Sequence, residues 1–114
     1  MVQLTLNLIQ GSVSFNFSLE AARTLKEEIN GLMVRLKAVL DQSASGIIPR
    51  TQRVMEYTYR GEVFVELFCN PNIYSNPFAA KVLLTVKDDN VCLTTEAELT
   101  RVIEDLEQYL KPIC

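Results

Sequence analysis

No histidine and no tryptophan occur among the 114 residues. The absence of histidine removes the commonest general base, the Ser-His and Cys-His nucleophile pairs and the mixed Cys/His zinc sites. Glycine is scarce, with 4 residues, and no phosphate-cradling loop or dinucleotide fingerprint can be built from them. Cys69, Cys92 and Cys114 are an odd set with no Cys-x-x-Cys pair, so reduced thiols in a cytoplasmic protein are expected. No apolar run approaches the roughly 20 residues that cross a bilayer. Met1 leads directly into Val2-Gln3-Leu4-Thr5-Leu6 instead of a basic start and an apolar stretch, so neither a membrane nor a secretory leader is expected. Basic charge is also in short supply. With 11 Lys and Arg against 14 Asp and Glu the net charge is −3, which argues against a nucleic-acid partner. Arg50, Arg53 and Arg60 fall in one short stretch and read as separately solvated side chains.

What is present is ordinary for a globular chain, at 48% hydrophobic and 22% charged. One domain over residues 1–114 is expected, and a chain of this size buries roughly two thirds of the surface its unfolded form exposes. The first signal is strict alternation. Val2, Leu4, Leu6 and Leu8, then Val13, Phe15 and Phe17, interleave with uncharged polar residues. A two-residue turn at Gln10-Gly11 would pair Leu8 with Val13, Leu6 with Phe15 and Leu4 with Phe17, with every apolar side chain on one face. Ser18 then has the character of a helix cap, with Glu20 near the positive end. Ala22, Leu25, Ile29, Leu32, Leu36 and Val39 follow at three- and four-residue spacing, widened by Leu19, Met33 and Leu40, and predict an amphipathic helix to about Gln42. Residues 42–51 break the pattern. Ile47-Ile48 lies inside that loop and is expected to fold back onto the core, with a docking tip as the alternative.

Arg53–Cys69 reads as the central β-hairpin. A three-residue loop, Tyr59-Arg60-Gly61, sets Tyr57 against Val63 and Met55 against Val65, and puts Gly61 at the left-handed position of a bulged turn. One face then carries Met55, Tyr57, Val63, Val65 and Leu67. The other carries Val54, Glu56, Thr58, Glu62, Phe64, Glu66 and Phe68. Asn70-Pro71 and Asn76-Pro77 bracket an ordered loop centred on Tyr74. Ala80–Lys87 predicts a further strand with Val82, Leu84 and Val86 on one face and Leu83 on the other. Asp88-Asp89-Asn90 turns the chain and Val91-Cys92-Leu93 stays unassigned. Thr95-Glu96-Ala97-Glu98 matches a capping box. The helix it opens carries Leu99, Val102, Ile103, Leu106 and Leu110 and stops at Pro112.

The expected fold is therefore α+β: a five-stranded, mainly antiparallel sheet with two helices, in the order β-β-α-β-β-β-α. That order is similar to the longin and profilin-like layout, whose helices flank the sheet, and a likeness of order implies no function. The polar second face of the N-terminal hairpin favours helices on one side. Val54, Phe64 and Phe68 are then left as an apolar strip on the other side, which is the mark of an interface. The primary functional reading is a non-enzymatic interaction or assembly module, homodimeric, without cofactor or metal. The alternative is a small-molecule-binding domain whose 70–78 loop, with Tyr74, Asn72 and Asn76, closes over a pocket. An enzyme would have to work from Glu56, Glu62 and Glu66, or from Cys92 with its thiol activated by a following helix. Asp88-Asp89-Asn90 lacks the spacing of a calcium loop.

Overall fold

The computed structural model describes residues 2–48, 50–74 and 76–111. Pro112, expected to stop the last helix, and Cys114 lie outside them. The elements are β1 (Val2–Asn7), β2 (Ser12–Phe17), α1 (Leu19–Ala44), β3 (Met55–Arg60), β4 (Phe64–Cys69), β5 (Lys81–Lys87), β6 (Cys92–Glu98) and α2 (Leu99–Leu110). Two single 3-10 turns, Pro71–Ile73 and Pro77–Ala79, lie between β4 and β5. The α+β class holds. The single five-stranded sheet does not: β3-β4-β5-β6 form a four-stranded antiparallel sheet, and β1-β2 form a separate two-stranded ribbon.

The strand missing from the expected order is β6. Its residues Thr95 and Ala97 stand opposite Leu84 and Val82 of β5. Left unpaired, β5 would be a long apolar edge. A ladder along its whole length outweighs a capping box, whose single cap contributes about 1 kcal/mol. α2 accordingly starts at Leu99, with Glu98 at the N-cap and no side-chain cap bond.

Both hairpins keep their expected faces and change their partners. In the ribbon, Leu4 pairs with Phe15 and Leu6 with Val13. Leu8 N–H closes the loop on the Gly11 carbonyl at 3.0 Å, and Gly11 takes a positive φ of 81°. In the central hairpin Tyr57 opposes Leu67 and Tyr59 opposes Val65, so the loop is Gly61-Glu62-Val63. Gly61 is not in the left-handed region, which Gly11 and Gly46 occupy. It is glycine because the Tyr59 ring lies over it: a Cβ there would stand 2.6 Å from Tyr59 Cζ.

Ser18 caps α1, its hydroxyl accepting from Ala21 N–H at 3.0 Å. The stripe Ala22, Leu25, Ile29, Leu32, Leu36 and Val39 is buried as the spacing predicts. Met33 packs against the core, while Leu19 and Leu40 are exposed. The inward side chains of ribbon and sheet, with the buried faces of α1 and α2, form one cluster. Both helices thus serve the same side of the sheet. Ile47 and Ile48 do not fold back onto that core, and Ile48 is 90% exposed. Among the described residues no helix is long and apolar enough to cross a membrane.

Two buried groups tie this core to pH. The Tyr57 hydroxyl donates to the Ala21 carbonyl at 3.1 Å. Burial, then nearby Tyr59, pushes its pKa up from 10.0 to about 12. Burial likewise pushes Cys69 up from 9.0 to about 11, against a smaller opposing effect of Arg35. Each group is held protonated by folding. The stability it adds is complete below its unfolded pKa and is lost as pH rises through the folded one. The melting temperature should therefore fall from pH 9.0 to about 12. Tyr57→Phe should flatten the part of that fall above pH 10.0, as thermal scans across the range will read.

Candidate functional site

The face of the four-stranded sheet turned away from the helices carries Phe64 and Phe68, two of the three residues expected to form an apolar strip. Strand pairing arranges them in rows. Arg60, Phe64, Lys87 and Cys92 make the first row, and Thr58, Glu66, Thr85 and Thr94 the second. The third holds Glu56, Phe68, Leu83 and Glu96, and the last pairs Lys81 with Glu98. Phe64 and Phe68 are half-buried, and Leu83 is 44% exposed. None of the three belongs to the core cluster. Two cations sit over the Phe64 ring, Lys87 Nζ at 4.6 Å and Arg60 Cζ at 5.1 Å from its centroid. Such cation–π contacts keep an aromatic side chain partly covered on an otherwise open face.

Val54 stands apart from this strip. It precedes β3 and lines a cleft with Glu28, Arg53 and Glu56. Phe64 and Phe68 are brought onto one strand face, and Leu83 joins them because β5 lies beside β4. Leu83 was visible in the sequence as the out-of-phase member of Val82, Leu84 and Val86. Its meeting with Phe68 was not.

The 70–78 loop is built from two asparagine-capped turns, with Pro71 and Pro77 at their starts. Asn76 Oδ1 accepts from Phe78 N–H at 2.9 Å and Ala79 N–H at 3.1 Å. Asn72 pins the segment ahead of β3: its Oδ1 accepts from Gln52 N–H at 2.6 Å, and its Nδ2 donates to the Gln52 carbonyl at 2.9 Å. The Tyr74 hydroxyl donates to the Lys81 carbonyl at 3.2 Å. Burial, then Cys69, raises the Tyr74 pKa. Tyr74 reaches the same cleft as Phe68 and Leu83, together with Ile73, Lys81 and Glu96. That cleft holds about 260 Å³, below the roughly 300–1,000 Å³ usual for small-molecule sites. On its other side Tyr74, with Ile73 and Asn72, borders a hollow of about 470 Å³ closed by Val39, Ser43, Arg50 and Thr51. Asn72 faces that hollow with its amide already committed to Gln52 and Asn70.

The reactive groups are scattered. Glu56 and Glu66 lie on the open face in different rows, while Glu62 accepts from Asn16 Nδ2 at 2.6 Å. Cys92 opens β6 instead of preceding a helix, so no helix terminus lies next to it to activate the thiol. Asp88 accepts from the backbone N–H of Asn90 and Val91, both at 2.8 Å, and these bonds hold its pKa below the usual value. Among the described residues no three metal-ligating His, Cys, Asp or Glu side chains gather in one place. Arg35, on α1, has Nε and Nη2 buried without a hydrogen-bond partner among those residues. Burial, then neighbouring Arg53, lowers its pKa. In the sequence nothing distinguishes Arg35 from any other polar position on a helix. No family model, curated protein or solved structure matches the chain.

Proposed function

We propose that the chain is a non-enzymatic assembly module that pairs with a second copy through the open face of its four-stranded sheet. The observation that carries this reading is the strip of Phe64, Phe68 and Leu83 on a sheet face that neither helix covers. Phe68 and Leu83 adjoin, Phe64 lies one row beyond Glu66 and Thr85, and aromatic side chains are enriched at interface cores. The scattered carboxylates and thiols support the same reading over catalysis. The hydrogen bonds that already engage Asn72 and Asn76 favour it over ligand capture by the 70–78 loop.

Sedimentation equilibrium of the full chain tests it. The wild type should self-associate at micromolar concentrations. Phe64→Asp buries a charge within the contact and should weaken pairing at least about 30-fold, as hot-spot losses do. Its circular dichroism should be unchanged, because the Phe64 side chain lies outside the core. Leu83→Asp should act the same way and guards against local effects at Phe64. A wild type that stays monomeric, or two variants that still pair like the wild type, would refute the reading.

A further inference from the structure

We propose that the two copies meet about a two-fold axis lying in the contact plane and running across the strands, so that the Arg60 end of each face covers the Glu56 end of the other. This rests on the pairing proposed above and adds its orientation.

The face is polarised along its strands. Arg60 and Lys87 flank Phe64 in the first row. Glu56 and Glu96 flank Phe68 and Leu83 in the third, about 13 Å away at the rise of a strand. Lys81 and Glu98 cancel in the last row. Three further acids border the first row from the turns: Glu62, Asp88 and Asp89. Glu62 is turned to Asn16, and Asp88 to the backbone of its own turn.

A homodimer contact must be complementary to itself. With the axis along the strands, each row would meet the same row of the partner. β3 would then lie over the partner's β6: Glu56 would face the partner's Glu96, and the four cations of the two first rows would gather at one end with no carboxylate of the face opposite them. Such like-charge opposition is a strong discriminator between docking modes. With the axis across the strands, β3 lies over β3. Arg60 then covers the partner's Glu56, Phe64 covers the partner's Phe68, and Lys87 lays its aliphatic stem on the partner's Leu83. Stacked sheets keep their strands within about 30° of each other, which leaves these ends opposed. The second row falls on the axis and meets itself. Its threonines tolerate this. Glu66 faces its own copy, a repulsion built into the arrangement.

Charge exchange separates this orientation from pairing in general. Arg60→Glu and Glu56→Arg, both at exposed strand positions, should each weaken the dimer about tenfold, and the two together should return it to within about threefold of wild type. Glu66→Gln should tighten it several-fold. Sedimentation equilibrium on the full chain reads all four variants, with circular dichroism to confirm folding. If wild type and Glu66→Gln associate alike and the double variant stays as weak as either single one, the orientation is wrong while the pairing stands. A monomeric wild type overturns both.

Discussion

Phe17→Ala is expected to lower the stability of the protein by about 4 kcal/mol, the range in which fully buried aromatic side chains lie. The residue is 0% exposed. Its ring meets Phe15 edge-on at 5.5 Å between centroids, and Tyr59 at 4.7 Å. Its carbonyl accepts the Tyr109 hydroxyl. One residue therefore joins the ribbon, the four-stranded sheet and α2. Truncating it removes the ring that the other two aromatics pack against and leaves a cavity between elements that have few other ways to close it. Urea unfolding reads the loss directly. Amide exchange should also quicken across Val2–Phe17 before it does in β4 and β5. A loss under about 2 kcal/mol would mean that Tyr59 can swing in and fill the space.

The second large effect comes from adding a methyl group. Gly61→Ala should cost about 2 kcal/mol, as overpacking does, because the new Cβ would lie 2.6 Å from Tyr59 Cζ and 2.8 Å from Cε2. A side-chain tip at that distance could usually move aside at little cost. Tyr59 cannot do so without leaving Phe17. The two sites are therefore coupled: in a Phe17→Ala background the ring is free to retreat, and Gly61→Ala should cost well under half as much. A double-mutant cycle measures this. Additive losses would show that the Gly61 effect lies in the backbone of the turn and not in the ring above it.

The same glycine shows why the sequence yields faces more readily than partners. Alternation along Met55, Tyr57, Val65 and Leu67 fixes which side of the hairpin is buried, because a slip of one residue would expose the whole set. A slip of two or four keeps the faces and changes every cross-strand pair. That choice falls to the turn, and a glycine tolerated for a tight approach is indistinguishable in sequence from one needed for a positive φ. In the ribbon Gly11 does adopt a positive φ, in a loop longer than the two-residue turn expected there. Thr95-Glu96-Ala97-Glu98 misled for a different reason. Its local capping pattern is sound, but the pairing demand of β5 is a tertiary fact. The helix stripe from Ala22 to Val39 was legible throughout, since amphipathic spacing over many turns leaves little room for an alternative. Of the candidate site, the outward phase of Phe64 and Phe68 could be read from alternation. The arrival of Leu83, the cations above Phe64 and the meeting of Phe68 with Tyr74 depend on which strand lies next to which.

The two sheets also differ in when they can be completed. β3, β4, β5 and β6 form a meander, each strand pairing with its neighbour in sequence. These contacts close over short loops, and such topologies assemble rapidly. The ribbon precedes in the chain every element it packs against, and its contact with α2 is the most distant. Asn7 N–H and Nδ2 donate to the Asp105 carboxylate across 98 residues of sequence. On the ribosome, Phe17 must therefore wait for Tyr59 of β3, and the side of β1 that α2 covers must wait longer, until α2 has been synthesised. Through that interval the nascent chain depends on the polar side of the ribbon, free of charge but rich in hydroxyls and amides, to remain in solution.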